Sequence, residues 1–152
     1  MVRWEDIPKA LQGNMKTRSA PFENTPWVDA PKLTDARVAM ITTAAIHRVD
    51  DRPFTGHEGD YRVIPGDVEY GELSMTHSSV NFDRSAYQQD VNVCFPLNHV
   101  RTLMASGEIG SVAGWHYSFM GSTAAQRMEP AAKEVSQLLL GDNVNLVLLI
   151  PV

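Results

Sequence analysis

Cysteine is almost missing from this chain: Cys94 stands alone. A single thiol rules out an internal disulfide and a multi-thiolate zinc site within one chain, so any metal would have to rest on histidine and carboxylate. Clustered positive charge is missing too. Thirteen Lys and Arg against 18 Asp and Glu leave a net charge of -5, and without a basic patch the electrostatic case for nucleic-acid binding is absent. The longest apolar stretch, Val144 to Val152, contains Asn145 and is far too short to cross a bilayer. The leading MVRWEDIPKALQ carries charges where a signal peptide needs an apolar core. The expected setting is therefore the cytoplasm, with small molecules or proteins as partners. Neither GxxxxGK[ST] nor GxGxxG occurs, nor a GxSxG elbow, so nucleotide-binding, dehydrogenase and classical hydrolase readings lose ground. There is no internal repeat and no low-complexity segment.

What is present suits one compact unit: 152 residues, 43% hydrophobic and 20% charged. Residues 1–36 read as an N-terminal arm. Pro8, Pro21, Pro26 and Pro31 argue against a central strand there, and Trp4 to Leu11 allows one short helix, the rest being extended. Residues 37–152 read as an α/β domain. Arg37 to Thr43 is a buried strand by its apolar run. Arg48 to Gly71 is a long Asp/Gly/Pro-rich connection with a brief strand at Tyr61 to Ile64, and a loop of that length inside a compact domain is uncommon unless it has a task. Glu72 to Thr76 is a further short strand. Pro96 to Ser106 is a helix with Leu97, Val100, Leu103 and Met104 at helical spacing. Ser111 to Trp115 is a strand, and Thr123 to Leu140 a longer helix with Val135, Leu138 and Leu139 inward. Pro130 should kink that helix or mark its first turn. Asn145 to Ile150 is a fully buried strand. Strands alternating with crossover helices predict a Rossmann-like layered domain with a mostly parallel sheet, whose ligands bind beyond the carboxyl ends of the strands.

Three of the five histidines follow short apolar runs: His47, His77 and His116. If those runs are strands of one sheet, three imidazoles meet at one edge, where they could serve as acid, base and substrate donor, or as a metal site with Asp83 or Asp90. The plain alternative is that each is a hydrogen-bonded core residue, and no close His-x-His pair favours metal. Asp90 and Asn92 in DVNV point the same way and could orient an imidazole, or could simply cap the turn before Pro96. Arg62 could bind a substrate carboxylate or pair with Glu58, Asp60 or Asp67. Cys94 precedes a helix, where the macrodipole favours thiolate, yet in VCF it also reads as an inert core residue.

The succession TTAAIH (Thr42 to His47), GDYRVIPGD (Gly59 to Asp67), Met75-Thr76-His77, DVNVCFP (Asp90 to Pro96), GWHYSFMG (Gly114 to Gly121) and the closing VNLVLLIPV resembles the selenoprotein B component of the glycine, sarcosine, betaine and D-proline reductases. The resemblance covers most of the chain from about Arg37 onward. It implies reductive cleavage of a carbon–heteroatom bond in a small amino-acid-like or amine substrate, by a thiol or selenol in a redox motif expected directly after Val152. On that resemblance His47, His77, His116 and Asp90 are the catalytic candidates, and Arg62, Asn92 and Tyr117 the substrate-binding ones. The sequence requires no cofactor and assigns no metal site, while a His/Asp-bound metal stays open; a redox partner protein and a homo-oligomer are expected. Two rivals are a His/Asp metal-dependent lyase or hydrolase complete within these residues, and a non-catalytic oligomer-forming subunit.

Overall fold

The structure, a computed structural model, describes residues 3–18, 27–80 and 82–152. It is a mixed α/β fold built on a mostly parallel sheet. In chain order the elements are α1 (Lys9–Arg18), β1 (Arg37–Thr42), β2 (Ile46–Arg48), β3 (Tyr61–Pro65), β4 (Leu73–Met75), α2 (Ser85–Gln89), α3 (Leu97–Ala105), β5 (Ser111–Val112), β6 (Trp115–Phe119), α4 (Ala125–Gly141) and β7 (Leu146–Ile150). At the centre lies β1, paired in parallel with β7 on one side and with β5 and β6 on the other, while β3 joins β6 antiparallel. A separate antiparallel pair, β2 with β4, sets His47 opposite Ser74.

Alternation along β1 divides the core. Val38 and Met40 pack with Ile64, Phe95, Leu97 and Val100 on the α3 face. Ala39 packs with Tyr117, Phe119, Val135 and Leu139 on the α4 face. Successive strand side chains point to opposite faces, so a central strand covered by helices on both sides must be apolar throughout. That is why RVAMIT carries no interruption.

Several expectations need correction. The N-terminal segment is more helical than its prolines suggest: α1 runs over Lys9–Arg18, past the expected end at Leu11, because Pro8 precedes the helix and no proline falls within it. Residues 19–26 of the expected arm lie outside the described residues. The strand expected at Ser111 to Trp115 is divided. Its first part is β5, and the longer β6 begins only at Trp115, because Ala113–Gly114 bulge out of the ladder. Arg37 faces Ser111 but Ile41 faces Tyr117, so the β5–β6 side is two residues longer than β1 over this stretch. Pro130 sits inside α4, beyond the first turn, at an exposed position. Leu138, expected inward, is exposed, and only Val135 and Leu139 of that stripe are buried. Leu103 and Met104 are likewise partly exposed on α3.

The largest departure is β7, expected to be fully buried. Among the described strands it pairs with β1 alone, and Leu148 and Leu149 remain 41% and 68% exposed. Its unbroken apolar character is that of a strand meant for cover on more sides than these residues supply.

At the carboxyl ends of β1, β6 and β7 the backbone converges. Thr43 N–H donates to Ile150 O (3.1 Å) and Gly121 N–H to Thr43 O (2.9 Å), while Val152 N–H donates to Thr43 Oγ1 (2.8 Å). A Cβ on Gly121 would lie 2.7 Å from Val152 O and 2.8 Å from Thr43 O. Glycine is required there by space, and the obstacles are backbone atoms that cannot rotate away. Gly121→Ala should therefore cost about 1–3 kcal/mol in urea denaturation, whereas Gly71→Ala, with open space around it, should stay near wild type.

Candidate functional site

Beyond that junction lies a cavity of about 530 Å³. Its walls come from three connections: Gly56 and His57 in the loop between β2 and β3, His77 to Val80 with Phe82 after β4, and Gly121–Ser122 after β6, with Val152 beyond β7. This is the position at which open parallel sheets present ligand sites. A second hollow of about 610 Å³ lies where Gly66, Arg101 and Ala113 meet, at the opposite end of β1. There the Arg101 guanidinium is already engaged with the Gly66 and Val68 carbonyls (2.9 and 3.0 Å).

Of the residues singled out from the sequence, His77 lines the 530 Å³ cavity. It is 3% exposed. The Ser79 N–H donates to its Nδ1 (3.2 Å), so the neutral ring carries its proton on Nε2, and that Nε2 is buried without a partner. Burial, reinforced by the positive charge of Arg84, pushes the His77 pKa down. Phe82 packs on the ring at 4.9 Å between centroids. The result is a neutral imidazole with a fixed, unspent N–H.

The other candidates are placed elsewhere. His47 is buried in β2, its Nδ1–H donating to Arg48 O (2.7 Å) and its Nε2 unpartnered. His116 lies inside β6, fully buried on the α3 face, edge-on to Phe95 at 5.7 Å. Its Nδ1 accepts from Met40 N–H (3.1 Å). At the Ala113–Gly114 bulge an imidazole thus receives a β1 donor, which leaves that central N–H satisfied. Tyr117 faces the α4 core, with Tyr61 edge-on at 5.7 Å. Asp90 caps the short turn Val91–Val93 by accepting Asn92 N–H (2.9 Å) and the Asn92 amide (2.8 Å). Asn92 Oδ1 in turn accepts the Tyr70 hydroxyl (2.6 Å). Cys94 is buried, and burial pushes its thiol up to about 11, outweighing any helix dipole. Among the described residues no group of three His, Cys, Asp or Glu is placed to hold a metal ion, and no helix is long and apolar enough to cross a membrane.

Arg62 is buried, and its guanidinium donates to the carbonyls of Arg52 (2.7 Å), Tyr61 (3.0 Å) and Pro53 (3.3 Å) and to Glu58 Oε2 (2.9 Å), lying 4.2 Å over the Phe54 ring. The Thr55 hydroxyl and Arg62 hold the Glu58 carboxyl down at about 2, against the upward push of burial. Thr123 Oγ1 donates to Glu58 O (2.7 Å). These bonds pin the loop that carries His57.

His57, Ser78 and Ser122 are among the cavity residues that the sequence alone did not single out. His57 Nδ1 meets Ser122 O at 2.9 Å, and the Ser78 and Ser122 hydroxyls are 2.8 Å apart. The one signal for His57 was the length of its loop. Among the described residues no Asp, Glu, Lys or Arg side chain lines this cavity, and those that do offer imidazoles and hydroxyls to a small polar ligand.

The model of the glycine/sarcosine/betaine reductase selenoprotein B family matches residues 22–151. The chain belongs to that family. It is also 32% identical over 127 residues to D-proline reductase subunit gamma of Acetoanaerobium sticklandii, an alignment covering 81% of this chain and 52% of that protein. The chain thus spans about half the length of this curated relative. No solved structure matches it.

His116 generates a prediction about stability in this family member. Burial, helped by the positive charge of Arg101, pushes its pKa down to about 4, against roughly 6.5 in an unfolded chain. The unfolded state therefore takes the proton first, and stability should fall as the pH drops from about 6.5 to about 4, by on the order of 3 kcal/mol from this residue. Urea titrations at pH 7 and pH 4.5 should show a smaller loss for His116→Gln, which keeps an acceptor for Met40 N–H, than for wild type.

Proposed function

We propose that this chain is the substrate-holding portion of a reductase that cleaves a carbon–heteroatom bond in a small amino-acid-like or amine substrate, working with a thiol or selenol presented at the Val152 side of the cavity. The observation that carries the reading is that His77, whose buried Nε2–H has no partner, lines a cavity at the carboxyl ends of the parallel strands, in a member of a reductase family. A buried donor without a partner costs folding free energy, and a ligand oxygen or nitrogen that meets it recovers that cost. Ser78 and Ser122, whose hydroxyls meet at 2.8 Å, line the same cavity and supply adaptable donors or acceptors.

In net terms the substrate's carbon–heteroatom bond is replaced by carbon–hydrogen and heteroatom–hydrogen bonds, while two thiols, or a thiol and a selenol, become a disulfide or selenosulfide. The electrons therefore come from a dithiol-type redox partner, which fits the relative's designation as a subunit. The exposed apolar edge at β7 gives such a protein neighbour, or a second copy of the chain, a place to pack. His77 holds the ligand; its lowered pKa keeps the ring neutral, so that it donates a hydrogen bond without competing for the substrate's ionic groups.

The test is turnover of glycine, sarcosine, betaine and D-proline, with dithiothreitol as electron source, by the protein joined with the thiol- or selenol-bearing component. His77→Ala should raise KM roughly tenfold, the loss of one buried hydrogen bond, with the circular dichroism spectrum unchanged. Absence of carbon–nitrogen cleavage of any of them by the wild-type assembly, or an unaltered KM in the variant, overturns the reading.

A further inference from the structure

The cavity holds two imidazoles, and their hydrogen bonds put them in opposite tautomers. His57 Nδ1 faces the carbonyl oxygen of Ser122 at 2.9 Å. A carbonyl only accepts, so Nδ1 must carry the proton and Nε2 keeps its lone pair. His77 is the reverse: the backbone N–H of Ser79 only donates, so Nδ1 is the bare nitrogen and Nε2 carries the hydrogen. The two rings therefore have unequal chemistry. To become an acid, His77 would have to accept a proton at Nδ1, at the expense of the Ser79 bond. His57 can gain a proton at Nε2 with its Ser122 bond intact.

Their settings reinforce the division. His77 is enclosed, in ring contact with Phe82. His57 is exposed, on a loop whose neighbour Glu58 is fixed by the Arg62 network and by Thr123. One imidazole is enclosed with its proton on Nε2, and the other lies at the surface with a bare Nε2.

We propose that His57 is the proton carrier of this site, taking the proton of the attacking thiol or selenol on Nε2 and passing it to the heteroatom that leaves, while His77 Nε2–H holds the substrate. This rests on the reductase reading above. The step balances: the S–H or Se–H proton moves to His57, a sulfur– or selenium–carbon bond forms, the carbon–heteroatom bond breaks with its electron pair on the heteroatom, and the His57 proton follows. No charge is left on either ring at the end.

Two measurements test it. Long-range ¹H–¹⁵N NMR of the neutral imidazoles in the chain itself should show His57 as the Nδ1–H tautomer and His77 as the Nε2–H tautomer; His57 found as Nε2–H overturns the assignment whatever the protein does. In the assembled reductase, His57→Ala should lower kcat about 100-fold or more, the usual range for a lost proton donor, with KM little changed. Free imidazole, or a substrate whose leaving group departs as a stable anion, should restore much of the rate, and neither should rescue His77→Ala. A His57→Ala enzyme as fast as an active wild type overturns this proposal alone. A wild-type assembly inactive on every substrate overturns the reductase reading, and this proposal with it.

Discussion

Thr43 ties the site together. Its amide binds the last residue of β7, its side chain binds Val152 just beyond, and its carbonyl receives the amide of Gly121 beyond β6. Three strand exits meet around one residue, and the cavity opens above them. Because Gly121 lies within 3 Å of two backbone oxygens through any added Cβ, the convergence tolerates no side chain. The next residues, Ala44 and Ala45, turn away sharply: Ala45 adopts a left-handed φ of 55° while fully buried, a conformation that costs an alanine of order 1 kcal/mol and persists only where the surroundings enforce it. Its carbonyl accepts Thr76 N–H (3.1 Å), and the Thr76 hydroxyl accepts Phe54 N–H (3.0 Å). Thus the strained turn is bonded directly to the residue before His77 and, through it, to the loop that leads to His57.

The opposite end of β1 is held by charge. Arg37 reaches Asp142 and the Val112 carbonyl, and Asp142 also accepts Gly114 N–H (2.9 Å), joining the end of α4 to the bulge. Burial would raise the Asp142 carboxyl, but Arg37 and the backbone donors outweigh it and hold it below the usual range. Just beyond, Asn143 sits at φ 55° and closes α4, with Val144 N–H on Leu139 O and Asn143 N–H on Leu140 O. This paired termination turns the chain directly into β7. One end of the sheet is thus clamped by an ion pair and the other by backbone contacts. The cavity lined by His57 and His77 opens above the second.

Much of this was legible in the residues. The apolar run of β1, the helical spacing of α3 and α4 and the β–α alternation follow from periodicity, and the family follows from the order of its motifs. The position of the cavity beyond the strand ends follows from the topology. Which histidines share it did not. Periodicity places an imidazole relative to its own strand but cannot report a bulge, and the two-residue shift at Ala113–Gly114 is what sets His116 beside Met40, whose N–H its ring receives. His57 was invisible for the converse reason: it follows no apolar run, and its loop is fixed by Ser122 and Thr123, far away in sequence, as well as by Arg62 on nearby Glu58. The pairing of Arg62 with Glu58 was one of the two readings its neighbours in sequence allowed, but the three carbonyls that occupy the rest of the guanidinium belong to backbone, which has no signature there.

The open side of β7 has a consequence for how this polypeptide behaves in solution. Five consecutive aliphatic residues, two of them well exposed, offer a row of peptide groups that no other described strand pairs, flanked by leucine, and natural sheets usually guard such rims with lysine, proline or a bulge. None of these guards is present in LVLLI. Unless something lies alongside it, this rim is a template for ordered self-stacking, and the chain should be least manageable when concentrated and without company.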